Sequence, residues 1–312
     1  MSRPKKLLIT GVSGLLGNNL AYALRSKYQI LGLYCSHEVF IDGIELQKAD
    51  ILSQGSLKRV LKEFSPNAII HCAALADVDF CEDHQDEAFR RNVLGTKNIV
   101  GDLKGSNAKL IYISTDLVYD GIKGDFSETD PVNPPNYYGL TKLKGEQEAL
   151  KYVNTLAART TFFGWNIVNK LHLAEWIFDS LSKGKEIPGF TDVYSSSLYS
   201  MKLAFLLDQA IEKDLKGIYN FGCQNAVSKY EFAKCVAENF QLDSSLIRPI
   251  SVEQHPFKAK RGKNLSLNVQ KLEKKLKVTL PTIQESIGQF ARDYQSGMRD
   301  AIRSKNRFTV KD

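Results

Sequence analysis

Short apolar runs alternate with helically spaced apolar positions through the first half of the chain. Lys5–Thr10 is an apolar run that stops at Gly11, and after it Leu16, Leu20, Ala23 and Leu24 recur on one helix face. The pattern predicts a strand, a glycine loop and a helix. Ile30–Cys35 reads as the next strand, and Leu57, Val60, Leu61 and Phe64 mark a second helix. Asn67–Ala74 is a continuous apolar strand of the kind buried on both faces of a parallel sheet. A helix over Ala88–Val100, a strand at Lys109–Ser114, a helix opened by Tyr138 and a strand at Thr155–Thr160 extend the series. Strands alternating with helices in this way predict an α/β fold, a doubly wound parallel sheet.

Beyond Phe162 the pattern loosens. Leu171–Leu181 and Leu198–Ile211 predict helices, and Gly217–Gly222 predicts a strand that rejoins the first sheet. Ser228–Phe240 predicts a helix with a serine cap, Ile247–Val252 an extended stretch, and Val269–Leu276 and Thr282–Tyr294 two more helices.

Composition narrows the class. The chain has 312 residues, 43% hydrophobic and 25% charged, which suits a globular protein with a well-buried core. No apolar run approaches the ~20 residues that span a bilayer, so no membrane segment is expected, and the N-terminal run is too short for a signal peptide. Cys35, Cys72, Cys81, Cys223 and Cys235 lack metal-ligand spacing. They are expected to be free thiols in a reducing cytoplasm, with no metal site. Net charge is +7, yet the basic residues do not cluster with aromatics on one element, so nucleic acid is not an expected partner. The local run at Lys258–Lys263 suits an anionic small molecule. Asp77 and Asp79 are read as loop caps.

Gly11-x-x-Gly14-x-x-Gly17 follows a strand and opens a helix, the context of a dinucleotide loop. Gly11 permits the turn, Gly14 lets backbone approach a pyrophosphate, and Gly17 lets helix pack on strand. Ser13, Leu15 and Leu16 belong to the same cradle. The second strand ends without a carboxylate before Glu38, which favours the 2′-phosphate of NADPH, with Ser36 and His37 as donors; NADH stays open. Asp50 and Ile51 are placed to touch the adenine edge. His71–Ala74 ends the fourth strand with small residues where a cofactor can pass.

Ser114-Thr115-Asp116 closes the fifth strand, at the end where ligands gather in parallel sheets. Tyr138 and Lys142 lie one helical turn apart, and a cation beside a phenol favours phenolate. A hydroxyl to hold an oxygen, a phenol to move a proton and an ammonium to tune it together suit carbonyl chemistry.

These motifs resemble the extended short-chain dehydrogenase/reductases, and most the dTDP-4-dehydrorhamnose reductase family. The matching stretches are Thr10–Gly17, His71–Asp79 with Cys81-Glu82, Asn92-Val93, Ser114–Gly121, Tyr138–Glu146 and Arg159–Thr161. The resemblance is dense over residues 5–165 and thinner beyond. It implies a catalytic Thr115, Tyr138 and Lys142, with hydride delivered to the 4-keto group of a nucleotide-linked deoxysugar. Ala73, Ala74, Asn92 and Ser114 would line the cofactor cleft. Phe162, Trp165, Tyr194 and Arg261 would meet the nucleotide-sugar. In the family pattern Arg-Pro and a Ser stand where this chain has Arg261-Gly262-Lys263. The expected organisation is a Rossmann domain over residues 1–162, rejoined by about 198–223. A smaller substrate domain takes residues 163–197 and 224–302, and residues 303–312 form a tail. A homodimer is left open. Two other functions fit the same residues: a nucleotide-sugar epimerase or dehydratase, and a non-catalytic NADP-binding regulatory subunit like that of methionine adenosyltransferase.

Overall fold

The computed structural model describes residues 5–167 and 171–303. The chain runs β1 (Lys6–Thr10), α1 (Leu15–Leu24), β2 (Gln29–Tyr34), β3 (Glu45–Lys48), α2 (Ser56–Phe64) and β4 (Ala68–His71). Next come α3 (Val78–Asp83), α4 (Gln85–Phe89), a π-helical turn (Arg90–Leu94), α5 (Gly95–Asp102), β5 (Lys109–Thr115), α6 (Tyr137–Ala149) and β6 (Thr155–Thr160). Then follow β7 (Phe162–Phe163), α7 (Leu173–Ser182), β8 (Ile187–Phe190), β9 (Tyr194–Ser195), β10 (Leu198–Tyr199), α8 (Ser200–Glu212) and β11 (Gly217–Phe221). The described chain closes with β12 (Val227–Ser228), α9 (Lys229–Asn239), β13 (Ile247–Ile250), α10 (Gln270–Leu276), α11 (Ile283–Gln295) and α12 (Met298–Arg303).

Seven strands make one parallel sheet in the order β11-β6-β5-β4-β1-β2-β3. Side-chain alternation along each strand feeds two apolar layers. Leu7, Ile9, Ile70, Ile111 and Ile113 enter the larger core, which also takes in the C-terminal helices. Leu8, Leu31, Ile69, Leu110 and Tyr112 enter the smaller one, with Leu57, Val60 and Ile99 from the covering helices. Both faces are therefore buried, which is why these strands read as unbroken apolar runs. The order reverses between β1 and β4, and the carboxyl ends of the strands open there.

Short ladders carry the rest. β7 pairs with β10, β8 with β13, and β9 with β12 in antiparallel register. β9 through β12 thereby sets Tyr194 opposite Ser228, at the start of α9. Capping boxes start α9 at Ser228 with Glu231 and α11 at Thr282 with Glu285.

Two expectations are corrected here. The helix over Ala88–Val100 is broken into α4, a π turn and α5. The turn coincides with Asn92, whose amide is drawn to the Leu75 backbone and to Thr141. Trp165 does not face a ligand: it is fully buried, stacked on Phe290 at 3.9 Å and edge-on to Phe178 and Phe240. Its indole N–H donates to the Phe290 carbonyl at 3.2 Å. Trp165→Ala is expected to cost about 3–5 kcal/mol of stability, read by urea denaturation. A loss well under 1 kcal/mol would contradict this core assignment. The tail expected from residue 303 lies outside the described residues except for Arg303, which ends α12 and pairs with Glu175 at 2.9 Å.

Candidate active site

The glycine cradle forms at the end of β1. Gly11 has φ +68, and a Cβ there would come within 2.7 Å of the Ala73 backbone. A Cβ on Gly17 would lie 2.3 Å from the Gly11 carbonyl oxygen. These two glycines are therefore fixed by packing within the protein. Gly14 differs: a Cβ there meets nothing nearer than 3.4 Å and would project from an exposed position. Gly14 is also the N-cap of α1, where no side chain satisfies the free amides. Leu15 and Leu16 turn their side chains into the core, so only their backbone is available to a ligand. A tight, uncapped helix start of this kind fits a pyrophosphate. Gly14→Ala should therefore fold normally yet weaken NADPH binding by on the order of tenfold, read by fluorescence titration beside a melting curve. Unchanged affinity would remove the pyrophosphate from this loop.

A buried polar chain locks the cradle to β4. His71 Nδ1 is 2.8 Å from Thr10 Oγ1, His71 Nε2 is 3.1 Å from Thr96 Oγ1, and Thr10 Oγ1 accepts from the Ala73 amide. Burial, then the Lys142 cation, lowers the His71 pKa to about 3, so His71 is a neutral brace. Ala73 and Ala74 follow it at the cleft edge, half-buried and exposed.

After β2, Ser36 and His37 are exposed and 2.9 Å apart through Oγ and Nδ1. The nearest carboxylate, Glu38, is engaged by the Tyr34 hydroxyl. Asp50 accepts from the Leu52 amide, and Ile51 packs against Gly95.

Thr115 ends β5, and Tyr138 opens α6, which Asn136 caps by accepting from the Gly139 amide. Thr115 Oγ1 donates to Asp116 Oδ1 at 3.1 Å and accepts from the Leu117 amide at 3.2 Å. The same hydroxyl also faces the Tyr138 phenol in a hydrogen-bond interaction. Asp116 is buried, and burial lifts its pKa to about 6 against the pull of Lys229. Lys142, one turn along α6, is buried with its ammonium 4.2 Å from the Tyr112 ring centroid.

The expected effect of Lys142 on Tyr138 is corrected. Burial raises the Tyr138 pKa well above that of an ordinary phenol, the Asp116 and Cys81 charges raise it further, and Thr115 lowers it. The net shift is upward although Lys142 lies one turn further along α6. The Lys142 pKa itself falls to about 8 through burial, against Cys72 and Glu146. Tyr138 is thus held as a phenol with its proton, the form a proton donor requires.

Two expected cleft residues are structural instead. Asn92 spends its amide on Leu75 and Thr141. Ser114 donates to Glu146 Oε2 at 2.6 Å, on the opposite face of β5 from the Thr115 hydroxyl. Sequence reasoning did not single out Glu146, whose carboxylate is held by Arg159 at 2.6 Å and 3.1 Å, both residues being buried. Arg159 in turn donates to the Tyr119 hydroxyl at 2.8 Å.

Among the residues expected to meet a substrate, Phe162 is half-buried after β6, and Tyr194 is exposed. The Tyr194 amide donates to the Lys263 carbonyl at 2.7 Å, and the Leu265 amide to the Tyr194 carbonyl at 3.0 Å. Arg261 lies in the strap of residues 257–265 that makes these contacts, stacked on Phe257 and paired with Asp79 at 2.8 Å. Its Nη1 is buried with no partner. Asn136 Nδ2 donates to the Lys260 carbonyl, which ties the strap to the start of α6. Gly121 permits this path, since a Cβ on it would lie 2.5 Å from the Gly262 Cα. Asp77 caps α3 by accepting from the Phe80 amide. Among the described residues no group of His, Cys, Asp and Glu could hold a metal, and no helix is long and apolar enough to cross a membrane.

A parallel doubly wound sheet with a glycine cradle and a Thr/Tyr/Lys constellation at its carboxyl edge is the architecture of an extended short-chain dehydrogenase/reductase. The chain belongs to the RmlD substrate binding domain family, whose pattern matches residues 5–296. It is 30% identical over 288 residues to a dTDP-4-dehydrorhamnose reductase of Aggregatibacter actinomycetemcomitans, covering 86% of this chain and 92% of that one. It is 29% identical over 283 residues to methionine adenosyltransferase 2 subunit beta of Danio rerio, covering 86% and 84%. A dTDP-4-dehydrorhamnose reductase of Bacillus anthracis solved in complex with NADP superposes with a TM-score of 0.83 at 26% identity, covering 93% of this chain and 100% of that one.

Proposed function

We propose that the protein is an NADPH-dependent reductase that converts a 4-keto nucleotide-sugar to the alcohol, as in deoxysugar or polysaccharide biosynthesis. The observation that carries this reading is the meeting of the Thr115 and Tyr138 hydroxyls at the carboxyl edge of the sheet, the edge at which the Gly14 cradle also forms. When bound, NADPH supplies the hydride. Backbone amides of Ser13–Gly17 would hold its pyrophosphate, Ser36 and His37 its 2′-phosphate, and Asp50 and Ile51 its adenine edge. Ala73 and Ala74 leave room for the nicotinamide side, and Lys142, a cation at neutral pH, would hold the ribose hydroxyls.

The chain's own chemistry is proton transfer. Tyr138 gives its proton to the carbonyl oxygen as negative charge develops there, and Thr115 donates a hydrogen bond to the same oxygen. Phe162 and Tyr194 offer aromatic faces to the nucleotide-sugar. The partnerless Nη1 of Arg261 suits one of its phosphate oxygens, the other arm being held on Asp79. We assign residues 163–197 and 224–302 to substrate binding and the cytoplasm as the place of action. In keeping with this, all five cysteines are free.

The test is loss of NADPH absorbance on mixing the protein with a dTDP-4-keto-6-deoxyhexose, followed by product analysis. Turnover without net NADPH loss would indicate an epimerase or dehydratase. A second reading, a regulatory subunit, is favoured by the vertebrate relatives, which match as much of the chain as the reductases do. It predicts no turnover of any keto-sugar and a stable complex with a methionine adenosyltransferase on gel filtration.

A further inference from the structure

Thr115 carries one hydroxyl hydrogen and faces two acceptors, the Asp116 carboxylate at 3.1 Å and the oxygen of Tyr138. One of its lone pairs is taken by the Leu117 amide. Asp116 also feels the charge of Lys229, the first residue of α9, without an ion-pair contact between them. Lys229 Nζ is fixed by donating to Ser195 Oγ at 2.8 Å, and Ser195 Oγ lies 3.0 Å from Ser197 Oγ. The β9–β12 ladder places both ends of this contact, since Val227 lies opposite Ser195 and α9 begins two residues later. A cation from the C-terminal half, held on Ser195, thus acts through its charge alone on a carboxylate that touches the Thr115 hydroxyl.

We propose that Asp116, under the pull of the Lys229 charge, sets which way the Thr115 hydrogen points, toward Asp116 or into the cleft at the reacting oxygen. An ionised Asp116 takes that hydrogen, because a bond to a carboxylate outcompetes one to a neutral oxygen. Thr115 then faces the cleft only as an acceptor. When Asp116 binds one proton from solvent, it donates to the free lone pair of Thr115, and the Thr115 hydrogen turns to the cleft. No bond to substrate forms or breaks in this step. Lys229 favours the ionised state and so sets the pH at which the hydrogen turns. The groups acting on Asp116 are Lys229 on α9, Tyr138 on α6, and Thr115 and the Leu117 amide beside it; Cys81 on α3 acts on Tyr138 in turn. Burial brings Asp116 to a pKa of about 6, within reach of neutrality. Lys229 and Asp116 are positioning residues, acting on the reaction through Thr115. The consequence for catalysis rests on the reductase reading; the coupling of Asp116 to Lys229 does not.

The experiment is carbon NMR of the full-length protein labelled at aspartate Cγ, titrated with pH. One resonance should titrate near pH 6 and vanish in Asp116→Asn. Lys229→Met should raise its midpoint by about one pH unit, Thr115→Val should raise it too, and Lys229→Arg should keep it near the wild-type value. A midpoint in the ordinary aspartate range, or one that Lys229→Met leaves in place, overturns the coupling. A midpoint that Thr115→Val leaves in place overturns the link to Thr115. With a dTDP-4-keto-6-deoxyhexose and NADPH, the kcat profile of Lys229→Met should be displaced along the pH axis by the same interval as the carbon midpoint. A profile merely scaled down overturns the effect on catalysis. Absence of turnover in the wild type would instead defeat the reductase reading, while the titration still decides the coupling.

Discussion

Tyr138→Phe should lose about 10²–10⁴-fold in kcat while NADPH still binds. The substitution removes one oxygen and its proton and keeps the ring. Tyr138 is half-buried, and its burial, reinforced by Asp116 and Cys81, holds the proton on the phenol. NADPH contacts proposed for the glycine loop, Ser36 and Lys142 are untouched. Steady-state turnover paired with a fluorescence titration of NADPH separates the two effects. Turnover within a few-fold of wild type would falsify the assignment of Tyr138 as the acid.

Glu146→Ala should cost about 3–5 kcal/mol of folding stability, because it leaves the buried Arg159 cation without its carboxylate. Arg159 is 4% and Glu146 2% exposed at their side chains, so water cannot replace the lost partner. The same change strands the Ser114 hydroxyl, which donates to Glu146. The pair joins α6 to β6, the two elements that flank Thr115, so stability and the placement of the site fall together. Chemical denaturation of the variant measures it. A cost below about 1 kcal/mol would mean that the pair is not held in the dry interior.

Much of this architecture was legible in the chain. Strands buried on both faces appear as unbroken apolar runs, which is why β1, β4 and β5 could be read directly. Glycine spacing located the cradle, and the four-residue step from Tyr138 to Lys142 located a shared helix face. What resisted reading depends on contacts between distant elements. The π turn at Arg90–Leu94 leaves apolar spacing nearly unchanged, so it looked like one helix. Asn92 and Ser114 sit in motifs that suggest ligand contact, yet their polar atoms serve the scaffold. Trp165 lies among residues that face a cleft, but the aromatic cluster of α7, α9 and α11 claims it. Lys229 is one lysine among many at a helix start, and the β9–β12 ladder that seats it on Ser195 joins segments more than thirty residues apart. The Lys142 expectation failed because spacing along a helix carries no information on burial, and burial dominates the Tyr138 pKa.

The strand order also bears on how the chain is made. β11 occupies the sheet edge beside β6, yet it follows β6 only after α7, α8 and several short strands. During synthesis from the N-terminus, six strands can assemble while the outer backbone groups of β6 stay unpaired. A nascent or prematurely ended chain that stops short of Gly217 would present this strand as a template for another chain. The edge is closed only when Gly217–Phe221 docks, pairing Ile218 with Ala157 and Phe221 with Thr160. Because that docking also brings Asn220 to the Phe126 and Asn268 carbonyls, protection of the sheet edge and attachment of the segments at Phe126 and Asn268 come with the same strand.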